Sequence, residues 1–204
     1  MAWAQGRLEE ARSGYEDVRG ARQRVLGPEH PSTLDSLLSV AEIDLERGLT
    51  DQALKVCSRV LAVQRRVLPR GHADLAGTLI CAGTGLNRQA RFREAQADLE
   101  EAINIAGAES YEVARAKSLL GESLAGQRAF PRAEPWLLAG HDELARDPMA
   151  PTRWRRDAAQ RLVALYDAWG KPEKAKEWRA KLATQASPEP SPAGLPAPAA
   201  PQRY

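Results

Sequence analysis

Apolar residues in this chain recur at helical spacing in stretches separated by short breaks, and the stretches repeat. Five alanines mark the repeat: Ala11, Ala53, Ala95, Ala133 and Ala175, spaced 42, 42, 38 and 42 residues apart. Five positions before each stand Gly6, Gly48, Ala90, Arg128 and Gly170, small in four cases of five. A helix follows each alanine, and an apolar helical stretch precedes every one but the first. A fixed period of this size marks a solenoid of helical hairpins. The reason is steric: two antiparallel helices joined by a short turn approach closely only where side chains nearly vanish.

Repeat one shows only a second helix, Leu8 to about Leu26, ended by Gly27-Pro28-Glu29-His30-Pro31. Gly and Pro together stop helices and start turns. Repeat two predicts a first helix from Ser32 to about Arg47, with Ser32 or Thr33 as N-cap, and a second from Thr50 or Asp51 to Leu68. Pro69-Arg70-Gly71-His72 breaks it, with His72 42 residues after His30. Repeat three covers Asp74 to about Ala106. Repeat four is shorter by four residues and carries Phe130 in the place of Phe92, and repeat five runs from Thr152 to about Leu182. From residue 184 the composition turns to Pro, Ala and Ser, which cannot bury a core; residues 184–204 read as a disordered tail behind an array over 1–183.

The first helix of repeat one is represented only by Met1-Ala2-Trp3-Ala4-Gln5-Gly6, so Leu8, Tyr15 and Val18 are expected to stand exposed. An array is not expected to start in mid-hairpin, because terminal repeats need a polar capping face. The reading is that the chain is the C-terminal part of something longer, or that a second copy supplies the missing half-hairpin and makes a dimer.

Bulk properties narrow the function. Of 204 residues 43% are hydrophobic and the formal net charge is +2. That composition suits a packed soluble core, and near-neutrality gives no global steering toward phosphate, so no nucleic-acid partner is expected. No stretch approaches the roughly 18–20 apolar residues of a membrane helix, and the N-terminus lacks the pattern of a signal peptide. A cytoplasmic protein without a membrane partner follows. Cys57 and Cys81 fall in helices of different repeats; a disulfide is open, but small unpaired buried residues are the expectation. His30 and His72 occupy equivalent loop positions and should cap or pack against a turn, too few and too far apart for a metal. His141 reads as a surface residue. In Arg153-Trp154-Arg155-Arg156 the cations interleave with an aromatic, but Trp154 should turn toward the core. Trp136, Trp169 and Trp178 fall at seams between repeats. No Ser/Cys–His–acid set can be assembled, so neither enzyme activity nor a cofactor or metal is expected.

From Val25 through Ala53 (a Leu-Gly-Pro-Glu-His-Pro loop, an apolar helix, then Arg47-Gly48 ahead of the next alanine) the chain resembles the tetratricopeptide repeat, in the roughly 42-residue variety of kinesin light chains. The resemblance covers residues 1–183 and implies an all-α, right-handed superhelical solenoid of about four and a half repeats. Residues 165–179, Leu-Tyr-Asp-Ala-Trp-Gly-Lys-Pro-Glu-Lys-Ala-Lys-Glu-Trp-Arg, look like the closing repeat at the C-terminus of large bacterial serine/threonine kinases. No Gly-rich loop, Val-Ala-Ile-Lys-like strand, His-Arg-Asp or Asp-Phe-Gly is present, so this resemblance implies a docking tail, with an upstream kinase domain as partner, and not phosphoryl transfer.

In such repeats the first helices line the concave side. Counting back from the anchor alanines gives one helical stripe. It holds Asp35, Ser39, Glu42 and Glu46, then Gly77, Cys81, Thr84 and Arg88, then Arg115, Leu119, Glu122 and Gly126, and finally Asp157, Arg161, Ala164 and Ala168. The position 14 residues back commonly bears Asn in the family and here reads Ser39, Cys81, Leu119 and Arg161. The resemblance therefore implies a scaffold binding a protein or peptide on a groove of mixed charge, acidic at repeat two and partly basic at repeat five. The sensing array of a transcriptional regulator and a standalone assembly adaptor stay open as alternatives.

Overall fold

A computed structural model describes residues 7–107 and 110–186, which form nine helices with no strand among them. They are α1 (Leu8–Leu26), α2 (Pro31–Glu46), α3 (Thr50–Val67), α4 (Asp74–Arg88), α5 (Phe92–Ala106), α6 (Tyr111–Gly126), α7 (Phe130–Arg146), α8 (Thr152–Ala168) and α9 (Pro172–Ala186). The predicted helix ends fall within one residue of these except at the last. There α9 continues to Ala186, three residues past the boundary that composition suggested. The rest of the expected tail and the segment Met1–Gly6 lie outside the described residues.

Each anchor alanine is the fourth residue of its helix, and each is buried: Ala11 is 8% exposed and the other four 0%. The position five residues earlier explains the spacing. Gly48, Ala90, Arg128 and Gly170 have φ of 79°, 57°, 62° and 71°, all left-handed. The next N–H in each turn reaches back to the carbonyl five residues before it: Leu49 to Asp44 at 2.8 Å, Arg91 to Leu86 at 2.9 Å, Ala129 to Leu124 at 3.0 Å and Lys171 to Tyr166 at 2.9 Å. This is a Schellman C-cap repeated four times, and it turns the chain directly into the second helix. The residue ending one cap also precedes the next helix: α3 starts at Thr50 as expected, but its N-cap is Leu49, which makes no side-chain cap, so neither Thr50 nor Asp51 plays the capping part expected of them. A left-handed conformation costs a non-glycine residue about 1 kcal/mol or more. Ala90→Gly is therefore expected to raise unfolding stability by about 1 kcal/mol, read from the midpoint of urea denaturation. An unchanged or lower midpoint would contradict the strained turn.

The array has two layers. Helices α2, α4, α6 and α8 each touch the next of their own set, whereas α3, α5, α7 and α9 touch only their neighbours in sequence. The even-numbered helices are therefore the inner, concave row. Between the layers runs a core of Leu79, Leu99, Leu119, Leu120, Leu124, Leu137, Leu162 and Leu165, closed at the C-terminal end by Tyr166 and Trp178. The tightest approach is α6 on α7. A Cβ on Gly140 would lie 2.6 Å from Ser118 N and 2.7 Å from the Ala114 carbonyl oxygen, and one on Gly121 would lie 2.5 Å from Leu137 Cγ.

Several side chains depart from expectation. α2 is capped by His30, whose Nδ1 accepts from Ser32 N–H at 3.2 Å, and not by Ser32 or Thr33; Thr33 Oγ1 instead donates to the Gly27 carbonyl at 2.9 Å. His72 plays the equivalent part, accepting from Asp74 N–H at 3.3 Å, as repetition implied. His141 is buried, edge-on to Trp178 with ring centroids 4.6 Å apart, because α9 of the last repeat closes over it. Cys57 and Cys81 form a disulfide between α3 and α4, Cα atoms 6.4 Å apart and both side chains fully buried. Their unpaired reading is thereby corrected: neighbouring repeats bring the two thiols face to face. On α1, Tyr15 and Val18 are exposed as expected, together with Val25, while Leu8 is half-buried.

Candidate functional site

The concave row carries the predicted stripe, but its middle is closed. On α4 the stripe residues are small: Gly77, Cys81 and Thr84. Cys81 is in the disulfide, and Thr84 is buried with its Oγ1 donating to the Ile80 carbonyl at 2.7 Å, so Thr84 does not line an open groove. Leu119 on α6 is likewise core. Arg88 stays exposed but is spent on the end of α2, where its guanidinium donates to the Leu45 carbonyl, a cation on the negative pole of that helix.

Because α4 presents so little bulk, side chains on either side of it meet. Arg115 on α6 pairs with Glu42 on α2 at 3.1 Å, two repeats away. Arg153 on α8 reaches Glu46 on α2 at 3.6 Å, three repeats away. Arg161 on α8 pairs with Glu122 on α6 at 2.7 Å and lies 3.5 Å from Ser118 Oγ. Beneath these charges sits Trp154, 9% exposed, packed against Tyr111 at 5.6 Å. The Arg115 guanidinium lies 4.4 Å and that of Arg153 5.6 Å from the Trp154 ring centroid. A guanidinium over an indole face is an attraction that partial burial strengthens. Burial works against the charge of Arg153, while Glu46, Glu42 and Asp157 favour it.

The structure thus brings Glu42, Glu46, Arg115, Glu122, Asp157 and Arg161 of the predicted set toward one surface. Asp35 and Ser39 lie in the first turns and the middle of α2 and make none of these pairs; Ser39 Oγ donates to the Asp35 carbonyl at 3.0 Å. There burial first, and Asp74 second, push the Asp35 carboxyl above its ordinary value. Arg153 and Trp154 join the surface although neither was in the stripe. Trp154 does face inward as predicted, yet the curvature of the array lays two arginines on it. The signal was the cation–aromatic alternation at 153–156; what it meant depended on α6, one repeat upstream, and on α2, three repeats upstream.

The segment 165–179 is chiefly structural. Tyr166 donates its hydroxyl to Glu134 at 2.8 Å, and burial together with that bond raises the phenol well above its ordinary pKa. Lys174 also donates to Glu134 at 2.8 Å and holds that carboxyl below its usual range. Trp169 stacks on Phe130 with centroids 5.9 Å apart.

No helix among the described residues is long and apolar enough to cross a membrane. Residues 1–66 match the family model of the tetratricopeptide repeat. No curated protein matches the chain significantly. Among solved structures, a kinesin-light-chain-type protein of Podosopora anserina with nearly identical TPR-like repeats is 20% identical; the match covers 90% of this chain and 89% of that one, with a TM-score of 0.65. BtubC (BKLC) from P. vanneervenii is 16% identical, covering 99% of this chain and 84% of that one at a TM-score of 0.66. MamA of Desulfovibrio magneticus RS-1 is also 16% identical, covering 86% and 94% at 0.55. The described residues form an all-α array of helical hairpins with the fold of these repeat proteins, and the tetratricopeptide family model matches residues 1–66 of it.

Proposed function

We propose that this array is a scaffold whose concave face takes an extended segment of a partner protein carrying charges of both signs. Tetratricopeptide arrays generally serve as protein-binding scaffolds, and one observation carries the reading further. The charges on this face are half-buried and paired across repeats, Glu42 with Arg115 and Glu122 with Arg161, and the Arg115 guanidinium lies over the Trp154 indole. A peptide bearing both signs can replace such partners one for one without leaving a buried charge unmatched.

The test is a charge swap on a partner recovered by affinity capture, with affinity then measured by calorimetry. Arg161→Glu alone is expected to weaken binding by roughly tenfold or more. The double variant Glu122→Arg, Arg161→Glu restores the internal pair and the fold but not the affinity. If the double variant binds like the original, the concave face is not the interface.

A finer version makes the array the docking tail of a bacterial serine/threonine kinase, supported by the resemblance of residues 165–179. Co-elution of the array with a kinase domain of that class on size-exclusion chromatography checks it. Separate elution at micromolar concentration removes that version while leaving the scaffold reading in place.

A further inference from the structure

A second surface lies along the edge formed by the turns inside each hairpin. These turns are bonded into one continuous strip. Gln89 donates to Asp51 of the turn before it at 2.5 Å, and Gln127 donates to Gln96 at 2.8 Å and to the Phe92 carbonyl at 3.4 Å. Phe130 stacks on Trp169 of the turn after it.

Charge is unevenly distributed along this strip. Around the turn between α2 and α3, the carboxylates Glu46 and Asp51 outnumber Arg47. Farther on, the segments 88–94, 126–132 and 168–172 contain Arg88, Arg91, Arg93, Arg128, Arg132 and Lys171 against a single carboxylate, Glu94, which Arg91 takes at 2.7 Å. Since the whole chain carries only +2, the rest of the molecule is net acidic and the cationic excess is concentrated here. Among the described residues Arg93, Arg128 and Arg132 form no ion pair, while Lys171 acts on Glu134 and helps to hold that carboxyl below its usual range. Arg128 lies over Phe130 at 5.9 Å and Lys171 over Trp169 at 3.1 Å, so the rings hold the cations in place without neutralising them. Between the second and third of these turns the strip opens into a cleft of about 440 Å³ lined by Arg91, Phe92, Arg93, Glu94 and Gln127.

We infer that the turn edge from Arg91 to Lys171 is a docking surface for an acidic, Asp/Glu-rich segment of a protein, separate from the concave face. Charge complementarity selects the carboxylate. The aromatic faces argue for polypeptide over single-stranded nucleic acid: Phe130 and Trp169 are stacked on each other and capped by cations, so neither offers a free platform for bases. The cations also come one or two per turn, which suits carboxylates on an extended chain better than an unbroken row of phosphates.

The test uses fluorescently labelled poly-L-glutamate and the whole chain, with anisotropy read at low and at physiological salt. Binding that weakens with salt is expected, because exposed ion pairs are screened. The variant Arg93→Gln, Arg128→Gly, Arg132→Gln should lose roughly tenfold or more in affinity while keeping its helical circular dichroism. Arg128→Gly relieves a left-handed residue, so this variant is not expected to fold worse. The charge-swapped double variant Glu122→Arg, Arg161→Glu on the concave face, which keeps the internal pair and the net charge, should leave poly-glutamate binding unchanged, which separates this surface from the other. No binding by the original chain, equal binding by the neutralised variant, or displacement of poly-glutamate by equimolar oligo-dT would each overturn the inference.

Discussion

Replacing Gly140 with alanine should lower the thermal midpoint by roughly 4–8 °C, although alanine is the better helix former by about 1 kcal/mol. The added Cβ would meet backbone, Ser118 N at 2.6 Å and the Ala114 oxygen at 2.7 Å, and backbone cannot rotate aside as a side chain can. α7 must then lift off α6, opening the seam between Leu137 and its neighbours. Overpacking of this kind costs about 3 kcal/mol, which outweighs the gain in propensity. Gly14 on α1 is the internal control: a Cβ there meets nothing within 4 Å, so Gly14→Ala should gain stability by about 1 kcal/mol. Opposite signs for the same substitution on two helices, read from thermal melts, are the expected result. Equal gains would mean that α6 and α7 are not in backbone contact.

Asp44→Ala should cost about 3 kcal/mol and detach α1 from the array. The Asp44 carboxylate is 3% exposed and accepts from Arg12 Nε at 2.8 Å and from Arg47 Nη1 at 3.1 Å. Its bond to Arg12 is the main influence raising that guanidinium's pKa. Ala11 is the one residue of α1 in the buried core, so the Arg12–Asp44 pair is a principal tie of this helix to α2. Without Asp44 the guanidinium groups of Arg12 and Arg47 lose the buried carboxylate they share and keep only the more exposed Glu16 and Glu9. Amides of α1 are then expected to lose hydrogen-exchange protection first, with α6 and α7 unaffected. Asp44→Asn, which keeps an acceptor but not the charge, should fall between the two. Uniform loss of protection across all helices would show instead that α1 and the rest unfold as one unit.

These two sites differ in how far the sequence announced them. The helix ends and hairpin turns were legible because they depend on local backbone chemistry. Gly48 and Gly170 sit where a left-handed residue must, and the alanine five places on sits where two helices cross. Even Ala90 and Arg128, unfavourable in that conformation, were located by period alone. His30 and His72 could be read as turn-capping residues because repetition gave them equivalent places. Partners drawn from other repeats were not legible. His141 looked like a surface residue because Trp178, which covers it, arrives from the next repeat. Cys81 and Thr84 share the phase of a groove stripe but lie in the one inner helix whose small side chains let its neighbours close over it. Arg115 was read from its phase in the repeat, yet its partner Glu42 depends on how tightly the array winds, and no single repeat encodes that.

The long reach of Glu42 to Arg115 and of Glu46 to Arg153 also bears on how the chain comes apart. A solenoid whose repeats touch only their immediate neighbours behaves as a row of coupled units and can fray from either end. Here the second repeat is tied to the fourth and to the fifth, so losing the last hairpin also leaves a carboxylate near the start without its counter-ion. Such ties make the coupling extend past nearest neighbours: the array should melt more like a ring being cut than like a zipper being drawn, with few partly unzipped forms along the way.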